Sequence, residues 1–277
     1  DALPISLPER FGFREFRIEG RNYLLNDTVI HLRSYFLSNF CNQWETEYSS
    51  KSSARSIYER LRQYGFNFTI SKNYNFKEGA VAYLRGTFDA ADEFGHLWSF
   101  SLPHPWQFGD LTRPENLERF MGMAGYLIRK YRNHPSIVLW VSNHNHGGAW
   151  GDQNPLRIGG EYKRANARQE RETKEKARNN FLALQKRVVS LDPSRPVYSH
   201  ASGSLGGQYS LNAYFNWAPC QERSDWLEHF SRHGRYPLSF VEYGLPHIAS
   251  FSSYRGPGFI WNEKAEQTSW DAEYCAA

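Results

Sequence analysis

Glu242 ends the apolar run Leu238-Ser239-Phe240-Val241 and is followed by Tyr243-Gly244. A carboxylate set at the end of a strand can serve as a nucleophile, or it can be an edge residue held in a salt bridge. Reactive types concentrate again in Ser142-Asn143-His144-Asn145-His146-Gly147-Gly148. His144 and His146 suit proton transfer, because an unperturbed imidazole titrates at about 6.5. With His104 or Asp152 the same pair has the types that hold a metal ion, although His-x-His alone is a common pattern. Asp152 and Glu161, in the glycine-rich stretch from Gly147 to Arg168, are further proton donors. Such a stretch often forms a lid or a subsite wall. Trp98, Trp106, Trp150 and Trp217 offer flat faces for a stacked ligand, with Trp217 the foremost of them; the alternative for each is an ordinary core aromatic.

These groups need a scaffold, and the hydrophobic pattern supplies one. Short apolar or β-branched runs alternate with longer segments of helical period, the pattern of repeated β-α units around a parallel sheet. Strands are expected at Val29 to Tyr35, Phe66 to Ser71, Leu97 to Leu102, Ile137 to Ser142, Val197 to His200, Ser210 to Tyr214 and Leu238 to Tyr243. Helices are expected at Ser53 to Tyr64, Ala80 to Phe94, Pro114 to Tyr131, Ala177 to Leu191 and Gln221 to His233. Gly65 and Gly95 stand where two of these helices should end in a left-handed residue. Asp192-Pro193 and Arg195-Pro196 stop the fourth and start a strand.

A doubly wound open sheet alternates in the same way, but a phosphate-binding glycine fingerprint should then follow its first strand. That position reads Arg33-Ser34-Tyr35-Phe36-Leu37, so a (β/α)8 TIM-type barrel is favoured and no cofactor is expected. Only 35 residues follow Glu242 (277 minus 242), so the barrel is expected to be shortened or remodelled at its C-terminal end. Residues 1–28 do not belong to a β-α repeat. They read as a strand, a turn and a second strand, a lead-in or hinge from a β-sandwich; residues 29–277 form the barrel.

Composition narrows the partners. Thirty-three basic and 29 acidic residues are interspersed, which gives no polyanion-binding signal, and nucleic acid is not expected. The run from Lys163 to Arg178 mixes both signs, as a solvated helix face does. No apolar run approaches the ~18 residues of a membrane span, and no signal-peptide pattern opens the chain. Cys41, Cys220 and Cys275 fit neither a zinc spacing nor a disulfide framework, which leaves the compartment open. Asn26-Asp27-Thr28 and Asn67-Phe68-Thr69 match the short glycosylation triplet. Aromatic residues make up 16% of the chain, with nine Trp and seventeen Tyr, a composition suited to a cleft that stacks on flat ligand faces.

Several runs carry a more specific signal. They are Phe11-Gly12-Phe13-Arg14 up to Leu32-Arg33, Arg129-Lys130-Tyr131-Arg132-Asn133-His134-Pro135-Ser136-Ile137-Val138-Leu139-Trp140, Asp192-Pro193-Ser194-Arg195-Pro196-Val197, Asn212-Ala213-Tyr214-Phe215-Asn216-Trp217, and Pro237-Leu238-Ser239-Phe240-Val241-Glu242-Tyr243-Gly244. In order and spacing they resemble the catalytic barrel of glycoside hydrolase family two, the group of β-galactosidases, β-glucuronidases and β-mannosidases.

The resemblance implies a retaining glycosidase acting on a β-linked oligosaccharide or polysaccharide. Two carboxyl groups about 5 to 5.5 Å apart would then flank the scissile bond. It makes Glu242 the nucleophile, Tyr214 its hydrogen-bond partner and Arg33 the strand-one arginine beneath it. Trp98, Asn143 and Trp217 then fall among the substrate contacts. Asn73, or its neighbour Lys72, replaces a substrate-contacting histidine, and Ser99-Phe100-Ser101 lacks the carboxylate usual on strand three. The acid/base falls on Asn145, with His144 where an asparagine normally precedes it. A neutral amide is a poor proton donor. Three accounts therefore stay open: another donor such as His144 or His146 acts, a metal assists, or the protein binds sugar without cleaving it.

Overall fold

A computed structural model of the chain describes residues 10–38, 50–72, 84–142, 182–200, 203, 207–213 and 220–243. It divides into two compact units, the first of residues 1–17, 23–141 and 187–196, the second of residues 18–22, 142–186 and 197–277.

The chain enters through a three-stranded sheet, β1 (Phe16–Glu19), β2 (Asn22–Leu25) and β3 (Thr28–Ile30), in that order. β2 and β3 are antiparallel and are joined by Asn26-Asp27, with φ of 50° and 64°. Two successive left-handed residues match the twist of a tight hairpin, and Asn and Asp tolerate that conformation better than most side chains. The strand expected at Val29 to Tyr35 is thus two strands: β3 ends at Ile30, and β4 (Ser34–Ser38) starts the parallel sheet. His31, Leu32 and Arg33 between them leave the ladder, and Asn67 holds that break by accepting from Arg33 N (2.8 Å) and donating to His31 O (3.0 Å).

In the first unit β4, β5 (Phe68–Lys72), β6 (Leu97–Ser101) and β7 (Ile137–Val141) pair in chain order, each parallel to the next. Helices α1 (Lys51–Gln63), α2 (Leu84–Phe94) and α3 (Pro114–Tyr131) connect them. Ser50 caps α1 by accepting from Ser53 N at 3.1 Å, and Pro114 opens α3 where no intrahelical donor is needed. Gly65 (φ 81°) and Gly95 (φ 77°) do end α1 and α2 in the left-handed region, and the amides of Phe66 and His96 turn back to the carbonyls of Leu61 and Ala91.

β6 and β7 are buried at every residue, as expected of central parallel strands covered on both faces. On the helix side, the Phe88 ring of α2 meets Trp98, Phe100 and Tyr131 edge-on, at centroid distances of 5.1 to 5.5 Å. Tyr58 of α1 accepts from Trp98 Nε1 at 3.0 Å and stacks on His96 at 4.5 Å. His96 is enclosed, and burial pushes its pKa down to about 4.

The second unit holds the short β8 (Val197–Tyr198) and the parallel pair β9 (Tyr209–Ala213) and β10 (Leu238–Tyr243), connected by α5 (Cys220–His233). Tyr209 and Leu211 are the buried centre of this pair, with Leu238, Phe240 and Phe230 of α5 packed on them. A further helix, α4, covers residues 182–191. Among the described residues, no helix is long and apolar enough to cross a membrane.

Candidate active site

A parallel β-α scaffold presents ligand-binding groups at the C-terminal ends of its strands, while the opposite ends serve stability. The described residues divide along that line.

At the N-terminal end of β7 the run from Arg132 to Ile137 is held by its own carbonyls. Arg195 donates to the carbonyls of Ile137 (2.6 Å), Arg132 (2.5 Å) and His134 (3.1 Å), and to Asp192 Oδ2 at 2.7 Å. Asp192 also accepts from Trp140 Nε1 (2.8 Å), Ser194 N (3.1 Å) and the Ser194 hydroxyl (2.5 Å). Burial alone would raise the Asp192 pKa, but these donors outweigh it and hold the carboxyl below its ordinary value. Arg14 donates to the carbonyls of Pro135 (2.9 Å) and Ile137 (2.7 Å). Its pKa is pushed down to about 10, chiefly by burial and then by the facing charge of Arg195. Gly12 fits here because a Cβ would meet Pro135 Cγ at 2.6 Å.

Asp89, Asp92 and His134 bring ligand-type atoms within 4.8 Å of one another. Both oxygens of Asp92 are already engaged, one 2.7 Å from His134 Nδ1 and the other accepting from Ser136 N at 2.9 Å. This group ties α2 to the start of β7.

Arg33 and Trp98, both expected among the site residues, have partners within the frame of the first unit. Arg33 precedes β4 instead of ending a strand: its Nε donates to Gly65 O at 2.6 Å, and it sits exposed at the strand's N-terminal side. It links the entry of β4 to the end of α1. Trp98, at the second position of β6, is fully enclosed between Tyr58 and Phe88, so no ligand can stack on it. The apolar demand of the β6–helix layer captured the ring.

The C-terminal strand ends carry small polar residues that do not belong to the reactive types. In the first unit Ser71 donates to Ser99 O (3.3 Å) and accepts from Ser101 N (3.0 Å), while the Ser101 hydroxyl donates to Ser71 O. Ser101, one of the two serines in the run that lacks the usual strand-three carboxylate, thus satisfies neighbouring backbone. In the second unit Ser142 and Ser199 share a hydrogen bond of 2.7 Å, Ser142 N donates to Tyr198 O at 2.9 Å, and His200 follows, buried. The repeated serine at strand ends was the available signal, a residue small enough for a crowded sheet and able to bond its backbone.

Glu242 lies on β10, next to its last residue, in register with Asn212 of the parallel strand β9. Asn73, Asn143, His144, Asn145, His146, Tyr214 and Trp217 lie outside the described residues, as do Asp152, Glu161, Trp150 and the glycine-rich stretch.

No curated protein matches the chain. Solved structures do. A β-glucuronidase from Ruminococcus gnavus in complex with D-glucuronic acid matches 96% of the chain over 43% of its own length, with TM-score 0.59 and 19% identity. A GH2 β-galacturonidase from Eisenbergiella tayi bound to galacturonate matches 97% of the chain over 45% of its length, with TM-score 0.57 and 19% identity. A Parabacteroides merdae β-glucuronidase matches 82% over 27%, with TM-score 0.56 and 17% identity. The chain therefore spans less than half the length of each, and at these identities the likeness is one of fold. The family model "Glycosyl hydrolases family 2, TIM barrel domain" matches residues 108–277, more than half of the chain. Parallel β-α repeats and that match together identify the chain as a member of glycosyl hydrolase family 2 by its TIM-barrel domain.

Proposed function

We propose that this barrel acts on a β-linked glycoside by a retaining mechanism, with Glu242 attacking the anomeric carbon. The observation that carries the reading is the place of Glu242, close to the end of a parallel strand, in a family whose chemistry needs a carboxylate at such an end. Attack forms the glycosyl-enzyme ester as the glycosidic bond breaks; a proton donor from the segment Asn143 to His146 protonates the leaving oxygen, and water then attacks the anomeric carbon, freeing the sugar and the Glu242 carboxylate. His144 or His146 supplies that proton, because Asn145 cannot. Tyr214 bonds the nucleophile and keeps it ionised, and Trp217 and Asn73 line the sugar. A uronide is the first substrate to try, given the names of the solved relatives.

The amide at Asn145 favours a second reading, a barrel that binds carbohydrate without cleaving it. Activated aryl glycosides (glucuronide, galacturonide, galactoside, mannoside, glucoside) separate the two, because their leaving groups need little protonation. Turnover by the wild type and none by Glu242→Gln is the result expected. No product on any substrate, with Asn145→Glu also silent and sugar affinity intact, establishes the binding protein instead.

A further inference from the structure

β10 carries one residue more than β9 along their shared ladder. Leu238, Ser239 and Phe240 stand opposite Tyr209, Ser210 and Leu211; the next pairs are Glu242 with Asn212 and Tyr243 with Ala213. Val241 is the extra residue. Successive residues of a strand alternate between faces, so an unbroken β10 would place position 242 on the face of 238 and 240. That face is apolar, since Leu238 and Phe240 pack with Phe230 of α5 against Tyr209 and Leu211. A carboxylate there would stand among apolar side chains. Residues in register share a face, so the pairing with Asn212 transfers position 242 to the face of Ser210 and Asn212.

β7 shows the same device. Trp98 pairs with Ile137 but Ser99 pairs with Leu139, which leaves Val138 as an added residue. β4 with β5, and β5 with β6, run one for one. Among these parallel pairings, the additions fall in the two strands that lead to positions 145 and 242. Bulges commonly re-aim a side chain beside an active site.

We propose that Val241 is a positioning residue: as the added residue of the bulge, it moves Glu242 from the α5 face of β10 to the face shared with Asn212. The catalytic consequence rests on the reading of Glu242 as nucleophile; the register does not. A cysteine scan tests the register without turnover. In the full chain with Cys41, Cys220 and Cys275 changed to serine, single cysteines at 238, 239, 240 and 242 are labelled natively with iodoacetamide and followed by mass spectrometry. Glu242→Cys should label at least about tenfold faster than Leu238→Cys and Phe240→Cys, which are partly covered where they pack on Tyr209 and Leu211. Grouping of 242 with 238 and 240 overturns the proposal. Deleting Val241 should drop position 242 to the slow class and, in the chain that keeps Glu242, abolish turnover of the activated glycoside. Fast labelling and full turnover in the deletion also overturn it. Val241→Ala keeps the residue count and so keeps fast labelling at 242. Should the deletion fail to fold, the scan in the full-length chain decides; should the wild type lack turnover, labelling still reports the register, and only the nucleophile reading falls.

Discussion

At the N-terminal end of β7, Arg14, Asp92, His134, Asp192 and Arg195 spend their polar groups on one short run of backbone and on each other. At the C-terminal end of β10, Glu242 stands on a two-strand ladder whose register shifts one residue before it. The first region is over-determined by hydrogen bonds; the second is defined by a residue count. Two of the sequence runs that carried the family resemblance, around Arg132 to Ile137 and Asp192 to Val197, belong to the first. Motif strength there measures how many bonds must be met at once in a buried place, which is a folding requirement. Chemistry asks for fewer residues, and so leaves a shorter signal in the sequence.

The contrast can be broken at either end. The largest effect is expected at β10, where Glu242→Gln should lower turnover of an activated glycoside by about 10³ or more while the melting temperature stays put. A melting temperature that falls with the activity would make Glu242 a structural residue like those around β7. Next is Asp192→Ala, which strands Arg195 and the Trp140 N–H in a buried site. It should cost about 3 to 5 kcal/mol, a drop of roughly 10 °C by thermal unfolding. Unchanged stability would show that the network is ornamental.

His96 follows. In the folded state its pKa is about 4 against the ordinary 6.5, so between those values the unfolded chain binds the proton and the folded chain does not. Its contribution is complete above pH 6.5 and fades as pH falls toward 4, by about 3 kcal/mol in all. Denaturant titrations across that window should show the loss, and His96→Gln should flatten it; an equal slope in both proteins sinks the assignment. Arg14→Ala removes two charge-assisted bonds to the Pro135 and Ile137 carbonyls and should cost about 1.5 to 3 kcal/mol. Ser50→Ala, away from both regions, removes only the cap of α1, at about 1 kcal/mol.

Much of the scaffold was legible beforehand. The period of the apolar residues gave α3 its bounds, Pro114 and Tyr131, and the glycines at 65 and 95 marked the helix ends because only a residue without Cβ takes positive φ at no cost. The break between β3 and β4 was not legible. Val29 to Tyr35 reads as one β-rich run, and it takes the side chain of Asn67, 34 residues after Arg33, to hold the chain out of the ladder. The surroundings of Arg33 and Trp98 were not legible for a related reason. Each has a type that serves equally in a cleft or in a frame, and long-range partners chose the frame.

By itself the sequence determined the alternation of strands and helices, the family runs and the presence of a carboxylate at position 242, because these depend on residue type and local spacing. Tertiary structure decided which arginines are struts, which tryptophan is core and where β7 and β10 gain a residue. Those outcomes rest on partners tens of residues away and on the register of neighbouring strands, and local pattern carries no record of either.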